Sequence, residues 1–123
     1  MAQDSTVLVV DDEPMIRMLA ADMLDVLGWS VVEAGGVGEA LSLAGDGASF
    51  RAALIDLGLP DRPGEELVEE IRRLRPDLPI IVTTGRDESS IDGKLREAGV
   101  AFVGKPYQLS DLEAALESLN LYS

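Results

Sequence analysis

Residues 6–14 read Thr6-Val-Leu-Val-Val-Asp11-Asp12-Glu13-Pro14, and the way this passage breaks decides the fold. An apolar run stops abruptly at two carboxylates, and a helix-starting proline follows. The same punctuation recurs along the chain. Ala52–Ile55 stops at Asp56, Ile80–Val82 stops at Thr83 and Thr84, and Val100–Val103 gives way after Gly104 to Lys105. Short apolar runs separated by helix-like segments indicate parallel strands buried on both faces. Such sheets bind ligands outside the carboxyl ends of their strands. The pattern therefore gathers carboxylates, hydroxyls and one ammonium at a single sheet edge.

The segments between these runs read as helices. Glu13–Leu27 places Ile16, Leu19, Ala20, Met23 and Leu27 on one side. Gly28 closes it where a left-handed cap suits glycine. Ser30–Glu33 is a short strand, and Val37–Ala44 a short helix closed by Gly45. Ala52–Ile55 is the third strand. Gly64–Leu74 is a helix with Leu67, Val68, Ile71 and Leu74 inward, ended by Pro76 and Pro79. Ile80–Val82 is the fourth strand. Asp87–Ala98 is expected to be the least stable helix, because its stripe is only Ile91, Leu95 and Ala98. Gly93 lies in its middle, and interior glycine costs ~1 kcal/mol against alanine. Ala101–Val103 is the fifth strand. The last helix is expected to open with a capping box, Ser110 with Glu113, and to carry Leu109, Leu112, Leu116 and Leu119 on one face beside Ala115. This order predicts an α/β fold, a doubly wound (βα)5 sandwich with a five-stranded parallel sheet and helices on both faces.

Composition narrows the function. The 123 residues suit one domain, 1–123, with a single core. Without cysteine there are no disulfides and no thiol chemistry; without histidine the usual general base and zinc ligand are missing. The net charge is −13, from 23 acids against 10 bases, and before Arg62 the only bases are Arg17 and Arg51. Such a surface argues against binding a nucleic-acid backbone. No apolar run approaches the ~18 residues of a membrane span, and Met1–Ser5 lacks the regions of a signal peptide. The chain is expected to be soluble and cytoplasmic.

At the predicted edge, Asp11, Asp12 and Asp56 bring like charges together, and a divalent cation relieves their repulsion. All-oxygen ligation with retained waters is what magnesium prefers. Asp12 is equally suited to capping the helix that follows. Asp56 has no structural duty visible in sequence, because the next helix begins too far downstream to be capped by it. A carboxylate in that position can act as a nucleophile toward phosphorus, forming an acyl phosphate. Transfer needs positive charge and alignment at the phosphoryl oxygens. Lys105 can supply the charge and Thr84 a hydroxyl. Thr83 leaves open which of the two threonines faces the site, since pleating allows only one.

These residues resemble the receiver domain of two-component response regulators (CheY-like), over essentially the whole chain. The matching pieces are Val-Leu-Val-Val-Asp11-Asp12-Glu13-Pro14, Asp56-Leu-Gly-Leu-Pro60, Gly64 eight residues after Asp56, Thr84-Gly85 and Lys105-Pro106-Tyr107. The resemblance implies a flavodoxin-like fold and Mg2+-dependent phosphorylation of Asp56 from the phosphohistidine of a sensor histidine kinase or phosphotransfer protein. It implies Mg2+ on Asp11, Asp12, Asp56 and the carbonyl of Gly58, with Thr84 as switch hydroxyl, Lys105 facing the phosphate and Phe102 as the aromatic that changes rotamer. The face made by the fourth helix, fifth strand and last helix would then reshape for a downstream effector. Gly85 stands where alanine is commoner, Pro63 where the loop often has Asp, and Phe102 lacks the hydroxyl of tyrosine. None of these touches the carboxylates or the lysine.

Two other classes fit parts of the pattern. A phosphohydrolase of the haloacid dehalogenase-like type also places Asp, Mg2+, Thr and Lys at strand ends. It typically needs a second Asp two residues after the first, and here that position is Gly58. A receiver-like binding module independent of phosphorylation would not need the intact acidic cluster. The chain is expected to be a monomer or weak homodimer that binds neither nucleic acid nor membrane. Its sequence fits a stand-alone receiver, part of a larger regulator and the receiver of a hybrid histidine kinase alike. Gly58 and Arg86, each two residues past a site residue, are expected to set the lifetime of the acyl phosphate.

Overall fold

The computed structural model describes residues 6–45, 50–59, 63–85, 100–105 and 107–121. Strands β1 (Thr6–Val10), β2 (Ser30–Ala34), β3 (Ala52–Asp56), β4 (Ile80–Thr84) and β5 (Ala101–Gly104) form one sheet. Their order is β2-β1-β3-β4-β5, and every pairing is parallel. Helices α1 (Pro14–Val26), α2 (Val37–Gly45) and α3 (Gly64–Leu74) and the last helix (Leu109–Ser118) cover it. The doubly wound, flavodoxin-like sandwich read from the sequence is the fold observed. The expected helix 87–98 lies outside the described residues.

Strand alternation builds two cores. Leu8, Val10, Ala53, Ile55, Ile80 and Val82 point to one face, against Val37 and Ala40 of α2 and Leu67, Val68 and Ile71 of α3. Val7, Val9, Ala52, Leu54, Ile81 and Val103 point to the other, against Ala20 and Leu24 of α1 and Leu112, Ala115 and Leu116 of the last helix. Both faces are dry, which is why these strands read as continuous apolar runs. The order reverses at β1, which pairs with β2 on one side and β3 on the other. The carboxyl ends of β1 and β3 thus meet at the switch point where such sheets leave a crevice.

Several local expectations are corrected. The stripe of α1 centres on Ala20 and Leu24, whereas Leu19 stands at its edge and is 51% exposed. Leu74 is also exposed, as the final residue of α3, and Leu109, as the first residue of the last helix, lies at the core's rim. That helix is capped by Gln108, not Ser110: the Gln108 amide donates to Asp111 Oδ2 at 2.8 Å, because the helix begins at Leu109 and its third residue is Asp111. For α1 the N-cap position is Glu13, and no side chain caps it, so Asp12 is not the helix cap. Gly28, at φ 94°, takes the left-handed conformation that its place after α1 requires.

Candidate functional site

Strand ends and the loops after them build the site. Asp11 follows the last residue of β1, where its N–H still reaches the sheet and donates to the Ala34 carbonyl at 3.1 Å. Its side chain turns back to accept the Glu13 amide on Oδ1 at 2.9 Å, fixing the entry to α1. Asp56 is the last residue of β3, in register with Thr83. Both carboxylates are buried, Asp11 3% and Asp56 4% exposed. A buried carboxylate needs partners. Asp56 Oδ1 accepts the Gly58 amide at 3.1 Å, and its other oxygen meets Lys105.

The β3 end is held in place by a close approach of backbones. A Cβ on Gly64 would stand 2.5 Å from Leu57 Cα and 2.6 Å from the Asp56 carbonyl oxygen. Only glycine lets α3 begin so near, and its amide donates to the Leu57 carbonyl at 3.2 Å. The Leu57 amide donates to Thr83 O at 3.0 Å, so the chain leaving Asp56 stays tied to β4.

Lys105 follows β5, and its amide donates to Thr84 O at 2.9 Å. The ammonium reaches 3.1 Å from Asp11 Oδ2 and 3.1 Å from Asp56 Oδ2. Burial alone would lower its pKa. The bonds and charges of Asp11 and Asp56 outweigh that, and the group is lifted above the ordinary lysine value. Tyr107 lies beside this cluster, and burial, followed by the negative charge of Asp11, pushes its phenol up to about 12.

An open cleft of about 440 Å³ is lined by Asp12, Asp56, Gly58, Thr84 and Lys105 among others. Of the neighbouring threonines, both buried, Thr84 is the one on the cleft wall. Phe102, half-buried, pairs in register with Val82 and packs on the same core face as that residue. Carboxylate oxygens of Asp11, Asp12 and Asp56 all lie within 4.8 Å of one another. A hard, all-oxygen donor set at the mouth of an open cleft, with room for retained waters, fits a small divalent cation. The sequence-derived residues Asp11, Asp12, Asp56, Gly58, Thr84 and Lys105 are thus brought together, while Phe102 stands behind them. Arg86 and Pro106 lie outside the described residues. Arg17 went unremarked in the sequence as a site neighbour. Its guanidinium reaches the Asp11 carbonyl at 2.7 Å, and no sequence pattern announces a contact from a helix side chain to a strand-end carbonyl.

Comparison with known proteins matches residues 7–117 to the response regulator receiver domain. The probable transcriptional regulatory protein TcrX of Mycobacterium tuberculosis is 32% identical, over 95% of this chain and 50% of that protein. The sensor kinase CckA of Brucella abortus is 30% identical, over 94% of this chain and 12% of its own length. The chain therefore spans half, or far less, of these relatives. Among solved structures, a CheY-like receiver domain protein from Methanospirillum hungatei superposes with a TM-score of 0.84 at 31% identity, covering 94% of this chain and 93% of that one. A response regulator from Burkholderia pseudomallei, solved with a phosphorylated aspartic acid, a calcium ion and citrate, gives 0.82 at 31% identity, covering 92% and 66%. No helix among the described residues is long and apolar enough to cross a membrane.

Proposed function

The chain belongs to the receiver domains of two-component response regulators, and from that premise we propose that it is a phosphoacceptor switch centred on Asp56. The observation that carries this reading is the Lys105 ammonium standing 3.1 Å from the buried carboxylates of both Asp11 and Asp56, beside a cleft that Asp12 and Thr84 also line. In this reading an Asp56 carboxylate oxygen attacks the phosphorus of a phosphohistidine on a sensor histidine kinase or phosphotransfer protein. The new O–P bond replaces the P–N bond, and the leaving imidazole takes up a proton from water. Asp11, Asp12, Asp56 and the Gly58 carbonyl would hold Mg2+, which neutralises charge on the phosphoryl oxygens when bound. Lys105 supplies the second positive charge, and the Thr84 hydroxyl donates to a phosphoryl oxygen. The phosphorylated aspartic acid and calcium ion of the Burkholderia pseudomallei regulator support the assignment of both the acceptor and a divalent cation.

Arrival of the phosphoryl group would draw Thr84 inward and free space behind it for Phe102, which shares its core face. That is a population shift between two arrangements of one surface, biased by a local charge. The face formed by β5 and the last helix would present the result to an effector. Labelling by a small acyl phosphate donor tests the reading: Asp56→Asn is expected to lose Mg2+-dependent incorporation, and persistent labelling of that variant at this site overturns it.

A further inference from the structure

Two of the three clustered carboxylates are held by their own side chains. Asp11 accepts the Glu13 amide and pairs with Lys105; Asp56 accepts the Gly58 amide and pairs with the same ammonium. Among the described residues, no group bonds the carboxylate of Asp12. Its direction is therefore set by the backbone, above all by the Asp11–Asp12 peptide. That peptide begins with the Asp11 carbonyl, which lies past the end of β1 and, among the described residues, has no strand partner. Arg17 Nη1 donates to it at 2.7 Å, a short, charge-assisted bond. Arg17 is in turn fixed from the edge strand, where Nε donates to Glu33 Oε1 at 2.9 Å. The bond to the Asp11 carbonyl is partly buried, whereas the Glu33 end of the clamp lies at the surface.

We infer that Arg17 is a positioning residue for the cation site: by holding the Asp11 carbonyl it turns the Asp11–Asp12 peptide so that the Asp12 carboxylate reaches the cleft beside Asp11 and Asp56. The inference rests on the Mg2+-dependent function proposed above. It makes a counter-intuitive prediction, because Arg17 is a cation placed next to a cation site. By charge alone, removing it should tighten Mg2+ binding. As a clamp, removing it should weaken binding, since outer partners of metal ligands typically contribute ~10-fold or more in affinity. Arginine suits the task because its planar fork bonds the carbonyl and the Glu33 carboxylate at once, which a lysine ammonium on a flexible stem does less well.

Calorimetric titration of the metal-free full chain with Mg2+ alone separates these accounts, with the melting temperature of each metal-free variant as a second readout. Arg17→Met is expected to bind Mg2+ roughly tenfold more weakly than the wild type, with Arg17→Lys weakened in the same direction despite its retained charge. Tighter binding by Arg17→Met with no change in Arg17→Lys makes the residue a mere charge and overturns the inference. A lower melting temperature with unchanged Mg2+ affinity makes it a mere strut and overturns it equally. Arg17→Lys keeps the test decisive if Arg17→Met does not fold. A wild-type chain that takes up no Mg2+ sinks the proposed function and this inference together, whereas uptake matched in both variants sinks the inference alone.

Discussion

The ammonium of Lys105 lies 3.1 Å from the carboxylates of both Asp11 and Asp56, so one side chain from the edge strand β5 spans β4 and joins the ends of β1 and β3. Among the described residues it is the ammonium that pairs with both of these buried acids. Removing one partner of a largely buried ion pair leaves the other uncompensated. Lys105→Met is therefore expected to destabilise the metal-free chain by about 1–3 kcal/mol, less than a fully buried pair because the lysine retains some solvent. The deficit should shrink when Mg2+ is added, since a cation on the same carboxylates replaces the lost charge. Thermal melts of both proteins with and without Mg2+ check this. Equal stabilisation of the two by Mg2+ would count against a shared site.

Tyr107 and Lys105 give the chain an alkaline limit. Both groups hold their protons more tightly when folded, the tyrosine up to about 12 and the lysine above its ordinary value. A raised folded-state pKa adds stability that is complete below the unfolded value and is lost as pH climbs through the folded one. The loss should begin near pH ~10, where free tyrosine and lysine titrate. Urea midpoints are expected to hold steady up to that pH and then fall, with Tyr107→Phe falling less. In an ultraviolet phenolate titration, the component that Tyr107→Phe removes should be the one near 12.

Gly64 and Gly85 should respond in opposite ways to the same added methyl. At Gly64 the new Cβ would meet the backbone of Leu57 and Asp56 at 2.5 and 2.6 Å, so the start of α3 must move away from the end of β3. Gly64→Ala is expected to cost about 1–3 kcal/mol, the usual price of forcing atoms into packed space, and to slow labelling of Asp56. At Gly85 nothing among the described residues lies within 4 Å of the added atom. Gly85→Ala should change stability by no more than ~0.5 kcal/mol. Denaturant midpoints of the two variants, measured side by side, decide the matter.

The sequence carried the sheet more completely than the helices, for a physical reason. Strands buried on both faces are apolar throughout, so Thr6–Val10 and Ala52–Ile55 stand out from any context. Their carboxyl ends were harder to place. Asp56, Thr83 and Thr84 read as the residues after strands, yet they are the last rungs of β3 and β4, because ladder bonds continue where polarity begins. Helix faces blur for a related reason. Leu19 and Leu24 are equally apolar, and only packing into the core beneath α1 decides that Leu24 is inside. Caps depend on where the helix begins, so a two-residue shift in that start moved the capping pair from Ser110 and Glu113 to Gln108 and Asp111. The clustering of Asp11, Asp56, Thr84 and Lys105 was legible because each is a polar group at or just past an apolar run. Arg17 was not, because its role lies in a bond to a backbone carbonyl.

Gly58 lies against the carboxylate of Asp56, the proposed phosphoacceptor. Its amide donates to Asp56 Oδ1 at 3.1 Å, and a Cβ there would lie 3.7 and 3.9 Å from the two carboxylate oxygens, in ordinary contact. A side chain at this position can therefore be accommodated without displacing the strand end, and it would lie against the Asp56 carboxylate, the proposed acceptor of the phosphoryl group. Hydrolysis of an acyl phosphate requires a water in line with the Asp56–phosphorus bond, and glycine leaves that approach open. Gly58→Met sets an unbranched apolar chain along the cleft wall, where it excludes water without adding a group that could orient one. The half-life of the phosphorylated chain is expected to lengthen roughly three- to tenfold, equivalent to ~1 kcal/mol on the barrier. Mg2+ affinity should stay close to the wild-type value, because the variant keeps the backbone carbonyl of residue 58 and all three carboxylates. Following the decay of phosphorylated protein after removal of a small phosphodonor measures the first quantity, and calorimetry the second. An unchanged half-life at unchanged affinity would mean that water reaches the phosphoryl group from the Thr84 side of the cleft instead.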